Sequence, residues 1–387
     1  MDLLIFIHIS LWYEIESVGK NKRNEKMSLN DCLKVLIVDD TIFYRKIISD
    51  ILQGIEDTKV VGSAGNGKIA LSRISVLKPD LLILDIEMPE MNGLDVLRHL
   101  KKDYPDVGAI MLSTLTREGS EITIKALELG AFDFIQKPQS GTLEENKKII
   151  LESLKPRLKA WKRRIDIKRM LKRLPEDSVT KPVSGSLKAD IQVRNGRSEI
   201  VGIGISTGGP KALSLMLPKL PINTVVPVVI VQHMPPLFTR SLAKNLNSKC
   251  ILSVKEAVNG EELKPGTVFL AAGGKQMKIS SGVGGKKFIR ITDDPPENSC
   301  KPSVDYLFRS IAHHYADRAT GVIMTGMGND GTKGLTLMKQ SGAYIIAQNE
   351  ATCTVYGMPK TPVDNGIVDI VVPLEKMADE IIKTVVH

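Results

Sequence analysis

Aromatic residues make up only 4% of this 387-residue chain. A protein that grips nucleic acid by stacking bases on rings needs more of them, so that class of function is not expected. Cysteine is scarcer still. Cys32, Cys250, Cys300 and Cys353 form no C-x-x-C pair, and none lies near a histidine at zinc-site spacing. Structural thiols in a reducing compartment are the expectation. The apolar run Leu3–Trp12 is too short to span a bilayer and lacks the basic region and cleavage site of a signal peptide. The polar stretch Lys20–Lys26 follows it, and Met27 opens the segment leading into the first strand candidate. Met27 is read as the natural start and residues 1–32 as a disordered N-terminal extension, with a peripheral membrane anchor as the competing reading. Cytoplasmic placement without stable membrane insertion is expected.

What is present is ordinary for folded protein: 42% hydrophobic and 25% charged residues, in a length suited to two or three domains. The net charge of +9 is concentrated. Between Lys155 and Arg173 there are ten Lys/Arg against one acid, Asp166, an excess that matches the charge of the whole chain. Neither half of the chain then presents a basic nucleic-acid face, and a solvated helix face explains the run.

From Leu33 onward, Val/Ile/Leu runs alternate with stretches of helical period. Strands are expected at Lys34–Val38, Lys59–Gly62, Leu81–Leu84, Ala109–Leu112 and Phe132–Ile135, with helices between them and a last one from Leu143 to about Lys159. Such alternation specifies a doubly wound parallel α/β domain over 33–154. A basic linker over 155–198 continues the last helix and then turns rich in breakers such as Pro175, Pro182 and Gly185. A second α/β domain is expected over 199–387. Its strands fall at Ile200–Ile205, Val226–Val231, Thr267–Leu270, Gly321–Met324 and Ala343–Ile346. Its helices fall at Lys211–Leu217, Leu237–Leu246, Val304–Tyr315, Lys333–Gln340 and Leu374–Val386.

Ligands of parallel sheets bind beyond the carboxyl ends of the strands. In the first domain those ends carry Asp39 and Asp40, Asp85, Ser113, and Lys137 followed by Pro138. Clustered carboxylates need a cation, and oxygen-only ligands favour Mg²⁺. Lysine and hydroxyl can hold phosphoryl oxygens, which leaves Asp85 as nucleophile for phosphoryl transfer. A single Asp at a strand end is ordinarily a helix cap; five such residues in register are not explained that way.

The segments Val35–Asp40, Leu82–Pro89 with Asn92–Leu94, and Gln136–Pro138 resemble the response-regulator receiver family. The resemblance implies that Asp85 accepts phosphate and that Asp39, Asp40 and the backbone of Glu87 join Asp85 in binding Mg²⁺. It also implies Ser113 and Phe134 as the switch pair, beside Lys137.

In the second domain, the strand Ile200–Ile205 runs into Ser206 and a glycine-rich turn. That turn fits either a dinucleotide-binding loop or a turn presenting a nucleophilic serine. A dinucleotide site needs an acid at the end of the next strand, and His233 stands there instead. Asp330, in the glycine-rich loop Thr325–Gly331, can hold that histidine; Asp293, Asp294 and Asp305 are rival acids.

Gly204–Gly209, Gln232–Pro235 with Phe238 and Thr239, Pro302–Asp305, Thr325–Gly331 and Gln348–Met358 resemble the chemotaxis protein-glutamate methylesterases. Two departures stand out. Ala272–Gln276 replaces a Pro-Gly-Gly-x-His segment, and Cys300-Lys301 replaces His-Arg. The resemblance implies a Rossmann-like methylesterase domain behind a flavodoxin-like receiver, with Ser206, His233 and Asp330 as a triad. The backbone near Thr207 and Met327 is then the candidate oxyanion hole. Methyl-accepting chemotaxis receptors are the implied substrate, with glutamine deamidation as a side activity, and a chemotaxis histidine kinase the phosphodonor. Ester hydrolysis itself calls for no cofactor. A DNA-binding response regulator is the main rival, but no helix-turn-helix segment is visible.

Overall fold

The computed structural model describes residues 32–173, 198–221 and 226–385. The N-terminal extension up to residue 31 and most of the expected linker, 174–197, lie outside the described residues.

The first half alternates β1 (Leu33–Val38), α1 (Ile42–Gln53), β2 (Thr58–Ala64), α2 (Gly67–Leu77), β3 (Leu81–Asp85), α3 (Gly93–Asp103), β4 (Gly108–Ser113), α4 (Arg117–Leu129), β5 (Asp133–Gln136) and α5 (Leu143–Arg173). The strands pair in parallel in the order β2-β1-β3-β4-β5. That order is the flavodoxin-like one. The central strand β3 is buried along its whole length, Leu81 to Asp85, because helices cover both faces.

The second half runs β6 (Ile200–Ile205), α6 (Gly209–Met216), β7 (Val228–Gln232), α7 (Phe238–Asn247), β8 (Ser253–Glu256), β9 (Thr267–Leu270), β10 (Gln276–Ser281), β11 (Lys287–Thr292), α8 (Val304–Tyr315), β12 (Ala319–Ile323), α9 (Thr332–Gln340), β13 (Tyr344–Gln348), α10 (Lys360–Asp364), β14 (Ile370–Val372) and α11 (Leu374–Val385). Among the described residues the main sheet has the order β14-β13-β12-β6-β7-β9-β8 with every pairing parallel. Strands β10 and β11 form a separate antiparallel hairpin. The chain leaves β6 toward β7 and later returns to β12 on its other side. The crevice beyond β6 is therefore the topological switch point, where doubly wound sheets bind ligands.

Four strands go beyond those the sequence pattern predicts. β8 and β14 are four- and three-residue edge strands, identifiable by their pairing and not by composition. β10 and β11 lie outside the main sheet, so the alternating βα pattern does not predict them. The last helix of the first half is also longer than expected, reaching Arg173 instead of about Lys159.

Lys155, Lys159, Arg163, Arg164 and Lys168 are exposed, as expected of a solvated face, while the opposite side of the extension packs on the first domain. Trp161 is buried edge-on to Phe132, with ring centroids 5.0 Å apart, and donates from Nε1 to the Asp80 carbonyl at 3.0 Å. Cations of the run pair with acids of the first domain: Arg157 with Asp133 (3.0 Å), Lys162 with Asp57 (2.7 Å), Arg169 with Asp80 (2.7 Å), and Lys168 with Asp106.

Candidate functional site

The register of β6 and β7 pairs Ile205 with Gln232, so the next residues, Ser206 and His233, leave adjacent strand ends side by side. Ser206 is tied there by its own backbone. Its N–H donates to the Thr325 carbonyl at 2.9 Å, and its carbonyl accepts from Gln232 Nε2 at 2.9 Å and from the Gly209 N–H at 2.8 Å. Two glycines make this turn possible. Gly208 adopts φ +81°, and a side chain on Gly326 would overlap Met358 Sδ at 2.3 Å and Ser206 Cβ at 2.8 Å.

Asp330 is the acid brought to His233, with Nε2 and Oδ2 2.9 Å apart. The rival Asp293 instead pairs with Lys275 and Lys301, and Asp294 accepts from Tyr306 Oη. Asp305 accepts from the Gly334 N–H and from Asn298. The Asp330 carboxylate is buried and also accepts from Asn298 Nδ2, Ser303 Oγ, and the N–H groups of Val304 and Asp305. The last two are the first residues of α8, so the helix N-terminus stabilises its charge. Burial raises the Asp330 pKa, but the His233 hydrogen bond and charge, with these donors, outweigh it and hold the carboxyl near 2. Burial lowers the His233 pKa. Its hydrogen bonds to Asp330 and Cys300, with the negative charge of Asp330, win, pushing it up to about 9.

The second nitrogen of His233, Nδ1, stands 3.7 Å from Cys300 Sγ. Spacing along the sequence could not reveal that contact, because 67 residues separate the two. Ser206 and His233 share the lining of one cavity of about 420 Å³, but no hydrogen bond joins their side chains among the described residues. The candidate oxyanion residues differ in surroundings. Thr207 is buried and Met327 is half-buried in the loop after β12.

At the ends of the first sheet, Lys137 Nζ donates to Asp39 Oδ2 at 2.8 Å and Asp85 Oδ2 at 2.7 Å. Asp39, Asp40 and Asp85 each offer a carboxylate oxygen within 4.8 Å of the others, which suits a hard divalent cation. Glu87 is exposed just beyond β3. Burial raises the Asp85 pKa to about 6, against the pull of Lys137 and with the push of Asp39. Ser113 Oγ lies 2.6 Å from Thr123 Oγ1, turned into its own domain.

The two sites are physically connected. Phe134 packs on Phe238 of α7 with centroids 4.5 Å apart. Ser120 Oγ and Ser241 Oγ are 2.7 Å apart in a buried contact between α4 and α7, flanked by Lys244–Glu121 (2.9 Å) and Lys249–Glu128. Thr207 Oγ1 donates to Asp133 Oδ2 at 2.8 Å, so a carboxylate of the first domain is bonded to the residue after Ser206. Asp133, Phe134, Gln136 and Arg157 of the first domain line the cavity that Ser206 and His233 open onto. Among the described residues no helix is long and apolar enough to cross a membrane.

A family model described as "CheB methylesterase" matches residues 201–381, and one described as "Response regulator receiver domain" matches 35–146. A "Protein-glutamate methylesterase/protein-glutamine glutaminase" of Desulfotalea psychrophila is 55% identical over 91% of this chain and 98% of its own. A protein of the same name from Trichodesmium erythraeum is 40% identical, over 91% and 99%. The crystal structure of the Thermotoga maritima CheB methylesterase catalytic domain is 42% identical over 49% of this chain and 99% of that one, with a TM-score of 0.47.

Proposed function

The chain belongs to the CheB methylesterase family, with a response-regulator receiver domain ahead of the esterase domain, and from that premise we propose a phosphorylation-controlled serine esterase acting through Ser206. The observation that carries this reading is the meeting of Ser206 and His233 at adjacent strand ends with Asp330 on His233 Nε2.

Ser206 Oγ attacks the carbonyl of a protein glutamyl methyl ester and His233 takes its proton. With Nε2 engaged by Asp330, the nitrogen that receives the proton is Nδ1. Backbone N–H groups near Thr207 and Met327 meet the developing oxyanion. Collapse of the tetrahedral intermediate breaks the acyl–oxygen bond. The methoxide leaves as methanol with the proton from Nδ1, and water then hydrolyses the acyl-enzyme by the same route. A side-chain amide passes through the same steps and releases ammonia, which accounts for glutaminase activity. Methyl-accepting chemotaxis receptors are the proposed substrate.

In the receiver, Asp85 is the proposed phosphoryl acceptor, with Lys137, Ser113 and Phe134 reporting its state. Asp39, Asp40 and Asp85, with the backbone of Glu87, would hold Mg²⁺, which supplies charge neutralisation for phosphoryl transfer from a histidine kinase. Phe134 against Phe238 and Asp133 against Thr207 support a receiver that covers the esterase site until phosphate shifts that packing. The test is methanol release from methyl-labelled receptors. Wild type releases it faster with a small phosphodonor, and Ser206→Ala releases none. Substantial release by that variant removes Ser206 from the mechanism.

A further inference from the structure

One side chain beside the proposed triad has no part in that chemistry. Cys300 lies between β11 and α8, with its carbonyl 3.4 Å from Gln276 Nε2 and its Sγ 3.7 Å from His233 Nδ1. His233, Cys300 and Asp330 each offer a donor atom within 4.8 Å of the other two. We propose that His233 Nδ1 and Cys300 Sγ form a binding site for a borderline-soft divalent metal, Zn²⁺ in particular, and that Zn²⁺ bound there inhibits the esterase.

The distance fits. A tetrahedral zinc with Zn–S of about 2.3 Å and Zn–N of about 2.0–2.1 Å sets its sulfur and nitrogen about 3.6 Å apart. The observed 3.7 Å therefore needs almost no movement of either side chain. The outer contacts fit as well. A histidine that binds zinc through one nitrogen usually donates from the other to a carboxylate, which fixes the ring and strengthens it as a ligand. Asp330 already occupies Nε2 in this way, held in turn by the start of α8. Both candidate ligands are half-buried, so an ion can reach them, and water completes the coordination.

The chain thereby carries two cation sites of opposite character. The Asp39, Asp40 and Asp85 group offers oxygen only and suits Mg²⁺, whereas the imidazole–thiolate pair selects against it. Binding displaces the thiol proton and any proton on His233 Nδ1, and occupies the imidazole lone pair. The inhibitory half of the proposal rests on His233 Nδ1 being the general base; the metal-binding half does not.

Full-length protein is titrated with Co²⁺ in the presence of excess Mg²⁺, and methanol release is measured against added Zn²⁺. The expected result is a thiolate-to-cobalt charge-transfer band that saturates at one equivalent, is displaced by Zn²⁺ and is absent in Cys300→Ser. The Zn²⁺ concentration for half inhibition, scaled to each variant's own metal-free rate, should rise about tenfold or more in Cys300→Ser. Zn²⁺ should also protect Cys300 of the wild-type chain from iodoacetamide, read by mass spectrometry, which needs no variant to fold. No band and no protection overturn the site. A band with undiminished methanol release, or equal inhibition of wild type and Cys300→Ser, overturns the inhibition. If metal-free protein releases no methanol at all, the esterase reading fails, and the cobalt spectrum still decides the site.

Discussion

Asp330 collects donors from the imidazole, from two side chains and from the first turn of α8, and so remains ionised although buried. An anion fixed in this way raises the His233 pKa, which has a kinetic consequence. The proposed base is active when neutral, so the acidic limb of the kcat/KM profile should lie well above the ordinary histidine value of 6.5, toward 9. Asp330→Asn removes the charge and leaves burial, which lowers the histidine pKa. The limb should move down while kcat falls by about 10⁴. A pH–rate series on both proteins checks this; an unmoved limb would mean that another group controls it.

Asp85 offers the opposite case at the same scale. Its folded pKa, about 6, is raised above the 3.8 of an ordinary Asp. The stability associated with it is present below 3.8 and lost as pH rises through 6. Without Mg²⁺, Asp85→Asn should therefore gain stability over wild type between those limits and keep the gain at pH 8, by at most about 3 kcal/mol. Paired thermal melts at pH 4 and pH 8 measure it, and Mg²⁺ should narrow the difference. A functional carboxylate kept buried at a cost in stability is common at sites that bind cations or phosphoryl groups.

Helix α5 shows how an element acquires length that its composition does not announce. The basic residues after Lys155 are weak evidence for anything but solvent, yet Trp161 anchors them. A side chain at Gly108 would lie 2.4 Å from Trp161, so the ring packs flush on the start of β4. Trp161→Ala should cost the receiver about 3–5 kcal/mol in urea denaturation, as other large buried aromatics do. Lys162→Ala breaks only a partly exposed pair with Asp57 and should cost under about 1 kcal/mol. Equal costs would show that charge pairing, not the indole, holds the extension.

Regulation is decided by the whole molecule. The buried contact between Ser120 and Ser241 joins α4 to α7 across the same interface that brings Asp133 and Phe134 to the cavity. Ser120→Arg places an unpaired charge there and should part the two halves. Basal methanol release should then rise, and its stimulation by phosphodonor should shrink. Asp85→Asn, with the interface intact, should keep the low basal rate and lose stimulation altogether. If Ser120→Arg opens the molecule, as judged by limited proteolysis or small-angle scattering, without raising the rate, occlusion is not how the receiver acts.

Much of this was legible in the residues themselves. Both parallel sheets follow from Val/Ile/Leu runs alternating with helical periodicity, since only a strand buried on both faces can be apolar throughout. The strand-end residues Asp39, Asp85, Ser206 and His233 follow from the rule that such sheets present chemistry at their carboxyl ends. What the sequence could not carry was contact between distant segments. Cys300 meets His233, Asp133 meets Thr207 and Trp161 packs on Phe132, because tertiary packing closes loops that leave no periodic trace. Short edge strands such as β8 exist because a neighbour offers them hydrogen bonds, not because Ser253–Glu256 prefers to be extended. Residue spacing alone left Asp293 and Asp294 as rivals of Asp330, which the resemblance singled out; the physical reason is tertiary, since the start of α8 and the imidazole converge on that carboxylate.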